Sequence, residues 1–145
     1  MRKLGWLAAL LALAIIAFPS SSAWAGKSKI EAKIDLSQQR MFVYVDGKRA
    51  YSWKVSTGKP GYSTPKGTFR PKRMKRVHYS DKYNNAYMPN SIFFLGGYAI
   101  HGTTATGKLG RAVSHGCVRL SQGNAKQLYN LVAANRSNSR IVVVR

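Results

Sequence analysis

The stretch at residues 29–55 reads KIEAKIDLSQQRMFVYVDGKRAYSWKV and contains clear signals for consecutive β-strands. Apolar residues occupy every second position at its start, and such alternation predicts a half-buried β-strand. The β-branched and aromatic run at 40–45 predicts a second strand, and Asp46-Gly47 after it is a strong signal for a tight hairpin. The return strand sets three apolar residues on one face: Tyr51, Trp53 and Val55. We therefore expect a β-sheet built from consecutive hairpins.

Further strands follow towards the C-terminus. Residues 57–67 are rich in Gly and Pro, and Thr-Pro-Lys-Gly at 64–67 predicts a type I turn ahead of a short strand at 68–70. Residues 71–90 are basic and then rich in Tyr and Asn, with little periodicity, which predicts a long surface loop. Apolar runs predict three more strands, at 92–95, at 98–100 (ending directly at His101) and at 141–144.

The periodicity becomes helical between Asn124 and Ala134. Ser121 is a suitable residue to cap this helix. Its apolar face is predicted to comprise Ala125, Leu128, Leu131 and Val132. The fold class expected from the whole pattern is β-rich, mainly β with one packed helix, in a sandwich or barrel.

Residues 1–25 have the features of a secretory signal peptide. Arg2 and Lys3 precede an apolar run at 4–18, and the small-x-small site Ala23-Trp24-Ala25 predicts cleavage before Gly26. The alternative is a retained membrane anchor, but the run is shorter than the roughly 20 residues that span a bilayer. We therefore expect an exported protein, periplasmic or associated with the cell wall, with one domain at residues 26–145 and no membrane span after cleavage.

The charge balance is strongly basic, with 24 Lys+Arg against 4 Asp+Glu and a formal net charge of +20. Such a charge attracts polyanions, which could be nucleic acid, anionic lipid or an anionic cell-wall polymer. Export and the lack of a nucleic-acid motif disfavour nucleic acid. A soluble, highly charged surface without a specific partner is the alternative. We expect a monomer with an anionic wall polymer as its candidate partner.

The chain has one cysteine, Cys117, which excludes an intramolecular disulfide. A lone exported cysteine can be a buried apolar residue, an intermolecular bridge or a reactive thiol. A reactive thiol needs a base, because little thiolate exists at neutral pH. His115 lies two residues away, on the same side of an extended backbone, and His101 follows a predicted strand. The spacing leaves both histidines open as the base, whereas His78 lies in the basic loop and is predicted to be a surface residue.

The residues around Cys117 suit acyl transfer. Gly116 and Gly102 would allow close approach of a substrate and leave backbone N–H groups free for a developing oxyanion. Arg119 could bind a substrate carboxylate. The alternative is a zinc site of His101, His115 and Cys117, which lacks a fourth ligand and a neighbouring carboxylate.

The motif His101-Gly102 followed by Ser-His-Gly-Cys-Val-Arg-Leu at 114–120 closely resembles the L,D-transpeptidase catalytic domain, also called the YkuD-like domain. The similarity extends along nearly all of residues 26–145, through the segments at 35–40, 56–60, 64–69, 88–89 and 97–103. The resemblance implies a mixed-sheet β-sandwich of the L,D-transpeptidase type. It also implies that no metal or organic cofactor takes part.

The resemblance implies a role for each residue of the motif. Cys117 would attack the amide before a terminal D-Ala of a peptidoglycan stem tetrapeptide. His101 would be the general base, oriented by a backbone carbonyl around Gly102. Ser114 and His115 would support the site, the N–H groups of Gly116 and Cys117 would form an oxyanion hole, and Arg119 would orient the substrate or the catalytic loop. A transpeptidase must also keep water from its acyl-enzyme, so the loop at 71–90 is expected to cover the site through Tyr83, Tyr87 and Met88. The alternative for this segment is an ordinary solvated loop.

An amine from a second stem peptide would then resolve the acyl-enzyme and give a 3→3 cross-link. Two alternatives keep the same chemistry: water as acceptor, giving an L,D-carboxypeptidase, or attachment and release of a wall-linked protein. A further alternative is a non-catalytic wall-binding module, which the presence of both Cys117 and His101 disfavours.

Overall fold

A computed structural model describes residues 26–145. The predicted signal peptide, residues 1–25, lies outside the described residues. The described part forms nine strands and one α-helix: β1 (Ile30–Asp35), β2 (Arg40–Val45), β3 (Lys48–Lys54), β4 (Gly67–Phe69), β5 (Arg73–Lys75), β6 (Ser91–Leu95), β7 (Tyr98–Thr103), β8 (Val118–Ser121), α1 (Gln122–Ala134) and β9 (Ser139–Val144).

The strands form two mixed sheets. The first has the order β3-β2-β1-β9-β4, in which β1 and β9 are parallel and the other neighbours are antiparallel. The second has the order β5-β6-β7-β8, in which only β7 and β8 are parallel. The main core contains residues from both sheets and the helix, including Ile34, Phe94 and Leu128. The predicted class, mainly β with one helix and mixed sheets, is confirmed.

The hairpin of β2 and β3 forms as its sequence predicts. β2 and β3 pair antiparallel around Asp46 and Gly47, whose φ angles are 51° and 81°. Positive φ at both central residues is the requirement of a type I′ turn, whose twist matches that of the two strands. The pairing shifts register between Val43 and Tyr44, as at a β-bulge.

The turn in the Gly- and Pro-rich segment lies earlier than predicted. The Tyr62 N–H donates to the Lys59 carbonyl at 2.8 Å, with Pro60 second and Gly61 third at φ 84°, the residue pattern of a type II turn. The type I turn predicted at 64–67 is wrong. Gly67 instead begins β4, because it pairs with Val143 of β9, an interior strand of the first sheet.

The segment 71–90 is only partly a loop. Residues Arg73–Lys75 form β5, which pairs with β6 at the edge of the second sheet, and Met74 packs against the core. A strand of three residues is too short to show periodicity, which is why the sequence predicts a loop here. An isolated bridge between Tyr79 and Tyr87 closes the rest of the segment.

The helix is capped and packed much as predicted. The Ser121 side chain accepts a hydrogen bond from the Asn124 N–H at 3.3 Å, which confirms the cap. The predicted face is buried except that Leu131 is only partly buried, while Tyr129 is buried. The helix packs on β7 and β8 and thereby supports the two strands that carry the candidate site. No helix within residues 26–145 is long and apolar enough to cross a membrane.

Candidate active site

The parallel pairing of β7 and β8 puts the candidate residues on one face of the second sheet. Ile100 pairs with Val118, and both are buried in the main core. Because side chains alternate along a strand, the next pair, His101 and Arg119, faces away from that core. Cys117 precedes Arg119 by two residues and lies on the same side. β7 does not end at His101, as the sequence suggests, but continues to Thr103, because its pairing with β8 also continues.

A narrow cavity of about 50 Å³ joins these side chains. Its lining consists of Ser80, Tyr83, Ala86, Met88, His101, His115, Cys117 and Arg119. A second cavity, of about 160 Å³, shares Tyr83, His115 and Cys117 with the first and is completed by Lys82, Gly97 and Tyr98. The structure therefore brings together six of the residues singled out from the sequence: Tyr83, Met88, His101, His115, Cys117 and Arg119. A larger groove of about 350 Å³ lies elsewhere, between β4 and β9, and its lining contains neither cysteine nor histidine.

His101 is buried, with 7% of its surface exposed, and its Nδ1 lies 2.8 Å from the Gly102 carbonyl oxygen. A carbonyl can only accept, so Nδ1 carries the proton and Nε2 is left with a free lone pair. Burial is the main cause that lowers the pKa of His101 from 6.5 to about 4. The Gly102 hydrogen bond opposes this shift, and the positive charges of Arg119 and His78 add to it. At neutral pH the imidazole is therefore uncharged and able to accept a proton.

Burial raises the pKa of the Cys117 thiol above its ordinary value. A hydrogen bond from the Ala99 backbone and the charge of Arg119 favour the thiolate and offset part of this effect. The thiol Sγ lies 3.8 Å from the Gly97 carbonyl oxygen, to which it can donate. Thiol and imidazole are thus both neutral at rest. The geometry suits removal of the thiol proton during attack, rather than a preformed ion pair.

The turn before β8 is held by the buried side chain of Ser114. Its hydroxyl donates to the Cys117 carbonyl at 2.6 Å and accepts from the Gly116 N–H at 3.0 Å. Gly116 has φ 117°, and a Cβ there would lie 2.6 Å from the Tyr98 ring, so a larger residue does not fit. The Gly116 N–H already has a protein acceptor, which does not fit its expected role as a free oxyanion donor.

His115 forms part of the wall between the two cavities. Its ring stacks on Tyr83 with centroids 4.7 Å apart and meets the edge of Tyr62 at 4.8 Å. Unlike His101, it has no carbonyl partner for its ring nitrogens among the described residues. The geometry therefore favours His101 as the base.

Of the three residues predicted in the covering loop, Met88 and Tyr83 line the cavities around Cys117 and Tyr87 does not. Met88 is buried, lines the narrow cavity and packs with Phe93 and Ala99. Tyr87 is 46% exposed, lies against Tyr79 and is not among the lining residues. Tyr83, also named from the sequence, lines both cavities.

Several residues of the two cavities have no assigned role in the sequence. Ser80, Ala86 and Lys82 line the cavities and belong to no recognisable motif. Tyr98 lines the second cavity and lies in the similar segment 97–103, but the resemblance implies no role for it. His78, predicted to be a plain surface residue, contacts the Phe93 ring edge-on at 5.2 Å. Its partial burial is the first cause that lowers its pKa, and its charge affects His101.

The chain offers little for a metal ion. Among residues 26–145, no three His, Cys, Asp or Glu side chains are grouped so that they could hold one. His101, His115 and Cys117 therefore do not form the zinc site weighed from the sequence. Their arrangement suits nucleophilic acyl transfer, with a thiol, a neutral imidazole and a guanidinium around one narrow cavity.

The structure thus defines a mainly β domain of two mixed sheets, the second of which carries a thiol, an imidazole and a guanidinium at one cavity. The family model YkuD, described as the L,D-transpeptidase catalytic domain, matches residues 29–144. The chain therefore belongs to the L,D-transpeptidase catalytic domain family. No curated protein matches the chain in sequence.

Solved structures agree with this family. The chain is similar to an L,D-transpeptidase from Mycobacterium smegmatis, with 25% identity and a TM-score of 0.74 over 81% of this chain and 59% of that chain. It is also similar to one from Stackebrandtia nassauensis, with 29% identity and a TM-score of 0.71 over 83% and 57%. An L,D-transpeptidase from Mycobacterium tuberculosis H37Rv, at 23% identity and a TM-score of 0.73 over 81% and 58%, shares the fold. The chain thus spans under two thirds of the length of these relatives.

Proposed function

We propose that this protein is an L,D-transpeptidase that forms 3→3 cross-links in peptidoglycan through an acyl-enzyme on Cys117. The observation that carries the proposal is the common cavity of Cys117, His101 and Arg119. The fixed tautomer of His101 supports it further, because Nε2 is the nitrogen left to accept a proton. Family membership supplies the substrate class, the stem peptides of peptidoglycan.

In the first half-reaction, Cys117 Sγ attacks the carbonyl carbon of the third residue of a stem tetrapeptide. The thiol proton passes to His101 Nε2, and the carbonyl oxygen becomes an oxyanion. Collapse of this intermediate breaks the amide bond to D-Ala, whose amine takes the proton from His101. The product is a thioester on Cys117 and free D-Ala.

In the second half-reaction, a side-chain amine of another stem peptide attacks the thioester. His101 accepts the amine proton and returns it to the thiol as the new amide forms. Tyr83 and Met88 line the cavity, and a cover formed by them would limit the access of water to the thioester. Arg119 lies on the face of His101 and Cys117 and would bind a substrate carboxylate.

The test is incubation of the purified protein with a defined disaccharide-tetrapeptide, followed by mass spectrometry. A dimer that has lost one D-Ala is the expected product, and both Cys117→Ala and His101→Gln should abolish it. His78→Gln, a partly buried histidine outside the cavity lining, is the matched control and should retain activity. Tripeptide without dimer would identify an L,D-carboxypeptidase, transfer only to a protein lysine would identify a wall-protein enzyme, and binding without any product would identify a wall-binding module.

We also propose that the basic surface holds the enzyme to an anionic wall polymer. The 350 Å³ groove is lined by three cations, Lys29, Arg70 and Arg140, of which Arg140 also pairs with Glu31. Sedimentation with isolated wall material should fall as salt rises, because salt screens exposed charges. The double variant Lys29→Gln, Arg70→Gln should bind less than a double variant at cations outside the groove, such as Lys72 and Lys108. Binding that is equal at low and high salt would contradict this proposal.

Export is part of the same proposal, since peptidoglycan stem peptides lie outside the cytoplasm. The intact mass of the protein recovered from cells is expected to match a chain that begins at Gly26. A mass that includes residues 1–25 would contradict cleavage of the signal peptide.

A further inference from the structure

The hydroxyl of Thr64 lies beneath the turn that carries the nucleophile. Thr64 is only 3% exposed. Its Oγ1 accepts a hydrogen bond from the Gly58 N–H at 3.0 Å and donates one to the Gly116 carbonyl at 2.7 Å. The hydroxyl thus joins the Gly- and Pro-rich segment to a residue 52 positions further along the chain.

These hydrogen bonds decide which way the peptide unit between Gly116 and Cys117 faces. The unit is planar and trans, so its carbonyl and its N–H point in opposite directions. With the Gly116 carbonyl directed at the buried Thr64, the Cys117 N–H is directed away from Thr64. Ser114 occupies both the Gly116 N–H and the Cys117 carbonyl. The Cys117 N–H, by contrast, takes part in no hydrogen bond within residues 26–145.

We infer that Thr64 is a positioning residue that aims the Cys117 N–H at the oxyanion formed during acyl transfer. A backbone donor at the nucleophile stabilises a tetrahedral intermediate only if its direction is fixed before the reaction. Thr64 fixes it through the opposite end of the same peptide unit. This inference rests on the proposed transpeptidase function and assigns a role to a residue outside the cavity lining.

The local sequence keeps the Thr64 hydroxyl in place. Pro65 restricts the backbone of Thr64 to extended conformations. Gly58 allows the two segments to approach, since a Cβ there would lie 1.8 Å from the Tyr62 carbonyl oxygen and 2.9 Å from the Thr64 nitrogen. Ser114 adds a second connection, because its N–H donates to the Thr57 carbonyl at 2.9 Å.

The experiment compares Thr64→Val with Thr64→Ser in the full protein. Valine keeps the shape and removes the hydroxyl, whereas serine keeps the hydroxyl. Release of D-Ala from the disaccharide-tetrapeptide is one readout. The other is alkylation of Cys117 by iodoacetamide, a displacement at carbon that forms no oxyanion. We expect Thr64→Val to lower kcat for D-Ala release by about 10- to 100-fold, part of the loss seen when an oxyanion donor is removed. Alkylation should change less than about threefold, and Thr64→Ser should restore kcat.

Each outcome decides between the two proposals. Full D-Ala release by Thr64→Val would overturn the positioning role while leaving the transpeptidase proposal intact. Equal losses in D-Ala release and alkylation would also overturn it, since they would indicate a general disturbance of the site. If the wild-type protein releases no D-Ala, the proposed function fails and this inference fails with it. If Thr64→Val does not fold, Thr64→Ala serves in its place, and the same two readouts apply.

Discussion

Acid should destabilise this protein through His101, and the size of the effect follows from the structure. The folded state holds the pKa of His101 at about 4, against 6.5 when the side chain is exposed. Between these values the unfolded chain binds a proton that the folded chain does not, so stability is lost as pH falls. Each pKa unit corresponds to 1.36 kcal/mol, so the loss is about 2 kcal/mol between pH 7 and pH 5 and about 3 kcal/mol by pH 4.

The assay is urea unfolding of the wild-type protein and of His101→Gln at pH 7, 6 and 5. Glutamine does not titrate, so the free energy of unfolding of the variant should fall by about 2 kcal/mol less than that of the wild type between pH 7 and pH 5. The carboxyl groups remain largely ionised down to pH 5, which keeps their contribution small. His78→Gln is the control, because His78 is less buried and should change the slope much less. Equal pH dependence of wild type and His101→Gln would show that protonation of His101 does not cause the loss of stability in acid.

Three further predictions concern the thiol, the turn and the helix cap. Because burial raises the pKa of Cys117, alkylation by iodoacetamide at pH 7.5 should be slower than that of a free cysteine. Arg119→Gln should slow alkylation further, because the charge of Arg119 favours the thiolate, and mass spectrometry measures both rates. Gly116→Ala places a methyl group at φ 117° against the Tyr98 ring, and it should lower the free energy of unfolding in urea by about 2 kcal/mol or more and remove most activity. Gly107→Ala has open space around its methyl group and should change neither quantity. Ser121→Ala should lower the unfolding free energy by about 1 kcal/mol in urea, and Ser121→Asp should largely retain it.

The sequence predicts those parts of the fold that depend on neighbouring residues. Alternation predicts β1, the β-branched and aromatic run predicts β2, and Asp46-Gly47 predicts the turn between β2 and β3, because these signals act over a few positions. The cap at Ser121 and most of the apolar face of α1 are local in the same way. The turn at 64–67 fails as a prediction because Gly67 pairs with β9, a partner more than seventy residues away. Pairing over such a distance overrides the local preference of Thr-Pro-Lys-Gly.

The candidate site depends on the distant pairings even more than the fold does. The motif around Cys117 points to a nucleophile, but the choice between His101 and His115 requires the register of β7 and β8, which places His101 beside Arg119. The neutrality of His101 depends on its burial, and Tyr83 and Met88, from a distant segment, line the same cavity. The same enclosure that lowers the pKa of the imidazole raises that of the thiol, so both groups are held in the protonation states that general-base catalysis needs. Substitutions that expose this cavity to water should therefore move the pKa values of His101 and Cys117 towards their ordinary values at the same time. A short sequence motif cannot predict this coupling, because it depends on residues that are distant in the chain.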